Sequence, residues 1–312
     1  MIRSERPCRD TTPLARAGRP SPPGTAGFAA LAWLLAAVAF AFAGCASNPR
    51  DLVDPTGSKT FAAGVDPFVL VREAADHEGL YTLAGGLKPM SSGIWRHSFS
   101  TDDPDLTELR DARRALAILR NDAWYADVQV FADAHDGERA AHAFVIHRKA
   151  LARMIERHEV FWSPWGITPC THPSEIVAVV DRMPRGDRWR GYGYLFGYPD
   201  EAVDFFVEAG LSAGDGRGVG PGKDRRFIQI PTAAEASGRF TYAVPPEHVP
   251  STADEALARD SEVILAAYLE RRHRMRDAGS AVEELLRLNA IFEPRTIRRG
   301  PIEPDDASPS AP

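Results

Sequence analysis

Apolar residues recur along this chain at two different periods, and the alternation between them predicts its elements. Phe68, Leu70, Val71 and Ala75 share one face of a helix predicted over Asp66–Leu80. A clearer helix is predicted over Asp105–Leu119, with Leu106, Leu109, Ala115 and Leu119 on its apolar side. Asp127–Ala134 and Ala140–His147 read as strands on either side of His135-Asp136-Gly137-Glu138, and Asp-Gly is a strong hairpin signal. Helices follow over Arg148–His158 and Ser174–Asp181. Tyr192, Tyr194, Phe196 and Tyr198 then alternate with Gly191, Gly193, Leu195 and Gly197, a period of two that predicts a strand over Arg190–Tyr198.

Asp200 caps a further helix that stops at Gly210, and Arg226–Ile230 with Arg239–Val244 form a predicted strand pair. The longest helix is predicted from Thr252 to Arg276, opened by the capping box Thr252-x-x-Glu255, with a last short helix over Ala281–Leu288. Strands arrive as hairpins rather than alternating with helices. The expectation is therefore α+β: a small antiparallel sheet of hairpins, packed on one face by several helices, with a long C-terminal helix. This domain is expected to span residues 66–291.

The ends of the chain have a different pattern. Five arginines precede an uncharged apolar run from Phe28 to Ala43, which is shorter than the roughly 20 residues of a membrane-spanning helix. A basic segment, a short apolar run and small residues at its end make a secretory signal. The run ends Phe42-Ala43-Gly44-Cys45, followed by Ala46-Ser47-Asn48. This resembles the lipobox of bacterial lipoproteins. The resemblance implies cleavage before Cys45, acylation of its thiol, and a lipid anchor in the cell envelope. In that family an Asp after the cysteine favours inner-membrane retention; Ala46 in its place implies the outer membrane, facing the periplasm. Ala41-Phe42-Ala43 also satisfies the A-x-A rule, so a soluble protein secreted after Ala43 is the alternative. Residues 1–44 are thus expected to be the signal, 45–65 the lipidated cysteine with a flexible tether, and 292–312 a disordered tail rich in proline and charge.

Composition narrows the partners. The 312 residues carry 37 basic and 43 acidic side chains, a formal charge of −6. Removing residues 1–44 takes away five arginines and two acids and leaves about −9, which argues against nucleic acid as a partner. Three cysteines exclude a disulfide framework or a Cys-rich zinc site. Only Lys59, Lys88, Lys149 and Lys223 are lysines, so arginine clusters carry little information here.

Several apparent motifs fail on context. Gly210-Leu211-Ser212-Ala213-Gly214 matches a nucleophile elbow by letter, but a helix, not a strand, precedes it. His77-Glu78 and His158-Glu159 open like H-E-x-x-H, with Tyr81 and Trp162 where the second histidine belongs. No metal site and no cofactor is expected. Two features stand above background. Lys88, Ser91, Ser92, Arg96 and His97 lie in a glycine-containing loop, 84–97, that would present cations and hydroxyls to an anion. Tyr192, Tyr194 and Tyr198 would form an aromatic platform for a flat ligand if their strand face were open. The leading expectation is a non-catalytic binding or scaffolding domain that meets an envelope polymer or protein partner. The alternative is an envelope hydrolase or transferase acting on an anionic or carbohydrate substrate through loop 84–97, with His158 and Glu159 as possible contributors.

Overall fold

The computed structural model describes residues 64–213, 225–234 and 240–293. Its element order is α1 (Pro67–Asp76), α2 (Leu80–Leu83), β1 (Met90–Ser100), α3 (Thr107–Leu116), β2 (Trp124–His135) and β3 (Glu138–His147). There follow α4 (Arg148–Arg157), α5 (Glu159–Trp162), α6 (Pro173–Arg182), α7 (Arg185–Leu195) and α8 (Asp200–Ala213). The short strands β4 (Arg226–Ile230) and β5 (Phe240–Val244) precede α9 (Thr252–Arg271) and α10 (Ala278–Phe292). The class is α+β, as the hairpin pattern implied.

The main sheet is antiparallel in the order β1-β3-β2. Asp136 and Gly137 both take positive φ, 50° and 77°, so the β2–β3 connection is the two-residue turn that suits the twist of a hairpin. Side chains alternate across the sheet and feed two cores. Ala126, Val128, Ala141, Ala143 and Val145 face α1, α3, α9 and α10. Tyr125, Phe144 and Ile146 face α4, α6 and α7. Helices thus cover both faces, not one. This end of the sheet has no polar face to give to water, because β3 is apolar on both sides from Ala143 to Ile146.

Three local readings need correction. Residues 90–97 are not loop but the start of β1, and the signal was hidden by a bulge between Ser92 and Arg96 where Gly93 takes φ +82°. Arg190–Tyr198 is not a strand; its residues belong mainly to α7. The glycines that mimicked strand alternation sit at helix contacts instead: a Cβ on Gly191 would come within 3.2 Å of Val180, and one on Gly193 within 2.7 Å of Val203. Close packing against α6 and α8 outweighs a helix-propensity cost of about 1 kcal/mol per glycine. Finally, the capping box of α9 is Ser251 with Asp254, one residue ahead of the predicted pair. No helix among the described residues is long and apolar enough to cross a membrane. Cys45, most of the 45–65 tether and nearly all of the tail lie outside the described residues.

Candidate functional site

The loop expected to hold an anion is dismantled by the fold. Lys88 has no exposed surface, and its ammonium is ion-paired with Glu78. It also lies 4.4 Å from the ring centre of Phe240 and 5.4 Å from that of Phe196. Burial lowers the Lys88 pKa, while the Glu78 carboxylate works in the opposite direction. Ser91 is buried and shares a 2.8 Å hydrogen bond with Thr82, and it donates to the Glu78 carbonyl. Ser92 continues β1. Arg96 is exposed, and His97 stacks on Trp95 and pairs with Glu108 at 3.3 Å. Lys88 and Ser91 therefore serve the core, while Arg96 and His97 lie further along the strand.

The three tyrosines are also separated. Tyr192 accepts a 2.7 Å hydrogen bond from Gln129 Nε2 and stacks on Phe196, with its phenol pKa raised by burial. Tyr194 stacks on His158 at 3.9 Å and 11°. His158 also lies 3.5 Å from Asp200, and burial lowers its pKa against that carboxylate's pull. Glu159 opens α5 and does not join this contact. On a helix, residues two apart point in different directions, so the shared face that strand geometry promised does not exist.

Tyr198 ends up elsewhere, in the wall of a cavity between the α7–α8 pair and the β4–β5 hairpin. The enclosed part is about 30 Å³ and opens into a cleft. Trp189 and Gly193 of α7 form one wall with Ala202, Val203 and Phe206 of α8. Phe227 of β4 and Thr241, Tyr242 and Ala243 of β5 form the other. Gly193 makes this wall thin by letting Val203 lie against the α7 backbone. Not one lining side chain carries a charge. Phe227 remains 44% exposed at the edge of the cavity.

On two of the lining residues a buried polar atom has no hydrogen-bond partner among the described residues: the indole Nε1 of Trp189 and the hydroxyl of Thr241, both closed off from the cavity space itself. Buried polar groups are ordinarily paired, so each such orphan asks for an explanation. The Tyr242 hydroxyl, by contrast, is satisfied because it donates to Asp254. Burial disfavours ionisation of Asp254, but bonds from Tyr242, Ser251 and His248 outweigh it and hold the carboxyl below its ordinary range.

That neighbouring group contains a serine, a histidine and an acid without forming a nucleophile relay. Ser251 Oγ and His248 Nε2 both end on Asp254 Oδ2, each at 2.8 Å. The histidine does not reach the serine hydroxyl as a base would have to. The cluster caps α9 and anchors β5 to it. Among the described residues no three His, Cys, Asp or Glu side chains converge as a metal site would require.

Sequence reading touches this cavity only through Gly193 and Tyr198 of the expected strand. Trp189, Phe206, Phe227, Thr241 and Tyr242 come from four elements and share no spacing. The comparisons agree with a chain that must be read from its own geometry: no family model, no curated protein and no solved structure matches it.

Proposed function

We propose that this is an exported lipoprotein, anchored through Cys45, whose domain binds a small ligand without transforming it. The observation that carries the binding reading is the uncharged, largely aromatic cavity between α7, α8 and the β4–β5 hairpin, with Thr241 and the Tyr198 and Tyr242 phenols as its few polar side chains. Apolar pockets with a few placed polar groups are the usual form of small-ligand sites. The anchoring reading rests on Phe42-Ala43-Gly44-Cys45 and on Ala46, which favours the outer membrane facing the periplasm. The enzyme alternative loses its support at loop 84–97, where Lys88 is already neutralised by Glu78.

Two measurements test this. Native mass spectrometry of the chain extracted from membranes should show a retained small molecule. Ala243→Leu, which puts three more carbons into the cavity wall, should abolish it. A wild-type spectrum of bare chain alone would sink the binding reading. Separately, Cys45→Ala should move the protein from the membrane fraction to the soluble fraction; persistence in membranes with unchanged mobility would overturn the anchor.

A further inference from the structure

We infer that the cleft between α7, α8 and the β4–β5 hairpin takes a small apolar monocarboxylate, with its body against the cavity wall and its carboxylate on Arg225 at the rim. This inference rests on the binding role proposed above. Strand geometry brings the arginine there. Phe227 stands opposite Ala243 in the hairpin, and both line the cavity. Residues two apart on a strand share a face, so Arg225 comes to the same side as Phe227. Its guanidinium carbon lies over the Phe227 ring, 5.8 Å from the centre. Among the described residues that ring is its one partner, since the guanidinium has no ion pair and no hydrogen bond. Arg225 is nevertheless part-buried, and burial with no carboxylate to oppose it lowers its pKa. A guanidinium stays charged all the same, and its fork of N–H donors matches a carboxylate. The Phe227 ring steadies that charge without neutralising it.

The neighbouring arginines are committed elsewhere. Arg190 is paired with Asp204. Arg185 lies over the Trp189 ring at 4.7 Å and donates to the Gly210 carbonyl. Arg226, on the other face of β4, donates to the His248 carbonyl at 2.6 Å. One unpaired cation beside an uncharged wall sets the ligand's charge at minus one. A dianion would hold its second charge against apolar side chains, where an unpaired ion carries a large desolvation cost. A cation would meet the Arg225 charge and find no acid, because Asp254 is taken up by Tyr242, Ser251 and His248. A sugar would leave its hydroxyls unserved, since the Tyr242 hydroxyl is spent on Asp254 and that of Thr241 is closed off. An apolar body gains by covering Phe227, which is exposed where it borders the cavity. A phenyl ring on a short carboxylate chain has this form.

The test is calorimetric titration of the full chain in neutral detergent, at neutral pH, with three probes of one shape: hydrocinnamate, hydrocinnamamide and phenylpropylamine. Hydrocinnamate should bind about tenfold more tightly than its amide, because its bond to Arg225 is charge-assisted on both sides. The amine should give no binding heat. Added salt should weaken the acid and leave the amide unchanged. Arg225→Met keeps the length of the side chain and removes its charge, so the acid should fall to the affinity of the amide while the amide holds. Damage to the fold would instead weaken both. Ala243→Leu should weaken acid and amide alike, since it fills the wall they share. Equal affinity of acid and amide in the wild type, tighter binding of the amine, or an acid preference that survives Arg225→Met would overturn the anion selection while the binding role stands. Silence from all three probes also overturns it, and the mass spectrum of the membrane-extracted chain then decides the binding role by itself.

Discussion

Replacing Glu78 by alanine should lower the stability of the fold by about 3–5 kcal/mol, the loss expected when one partner of a buried ion pair is removed. Lys88 is fully buried, and Glu78 supplies the carboxylate it pairs with. The faces of Phe240 and Phe196 remain after the substitution, but cation–π contacts are worth only about 0.5–2 kcal/mol. They cannot replace the carboxylate. The remedy is also predictable. Adding Lys88→Met to Glu78→Ala should recover most of the loss, because the cost lies in the stranded charge and not in the missing contact. A denaturant midpoint for Glu78→Ala within about 1 kcal/mol of wild type would contradict this account.

The pH dependence gives an independent check. Burial holds the Lys88 pKa below the ordinary lysine value of 10.5, and losing Glu78 removes the contact that opposes this. Between the folded value and 10.5 the unfolded chain binds more protons than the folded one. Stability therefore rises with pH in that window, and the deficit of Glu78→Ala should shrink steadily as pH approaches 10. Lys88→Met should show no such recovery.

This pair also shows what could be read from the chain and what could not. In sequence Lys88 belongs to the loop 84–97 that reads as a place for an external anion. Its anion is internal. Glu78 lies ten residues earlier, where the sequence offers it only as part of an incomplete H-E-x-x-H. The hairpin at Asp136-Gly137, and with it the fold class, was legible because turn chemistry is local. Helix α7 was not, because its glycines are explained by Val180 and Val203, which belong to other helices. The cavity was illegible for the same reason: Trp189 and Thr241 are brought together by packing, which leaves no periodic trace in sequence.

Asn289→Ala should be the other severe substitution, at roughly 2–6 kcal/mol, since it strands two buried donors at about 1–3 kcal/mol each. Asn289 Oδ1 accepts from the Gly85 N–H at 3.0 Å and from His147 Nε2 at 2.9 Å. The tautomer is fixed by the other ring nitrogen: Nδ1 of His147 accepts from the Ala150 N–H at 3.2 Å, so the proton sits on Nε2. One amide oxygen thus ties the α2–β1 connection, the end of β3 and the final helix together. Only glycine fits at this joint, because its φ is +92° and a Cβ there would meet Phe292 at 2.6 Å. Asn289→Asp keeps the acceptor geometry and should retain more stability than alanine. Hydrogen exchange supplies the local readout, with Gly85 losing protection first in Asn289→Ala. Acid should act on the same joint in the wild type. Burial lowers the His147 pKa below 6.5, so its neutral form stabilises the fold above that pH. That contribution is lost as pH falls from 6.5 through the folded value, because the unfolded chain takes up the proton first. The alanine variant, with the supporting Asn289 contact gone, should therefore unfold at a higher pH than wild type in an acid titration, and equal acid midpoints would show that Asn289 does not hold this joint.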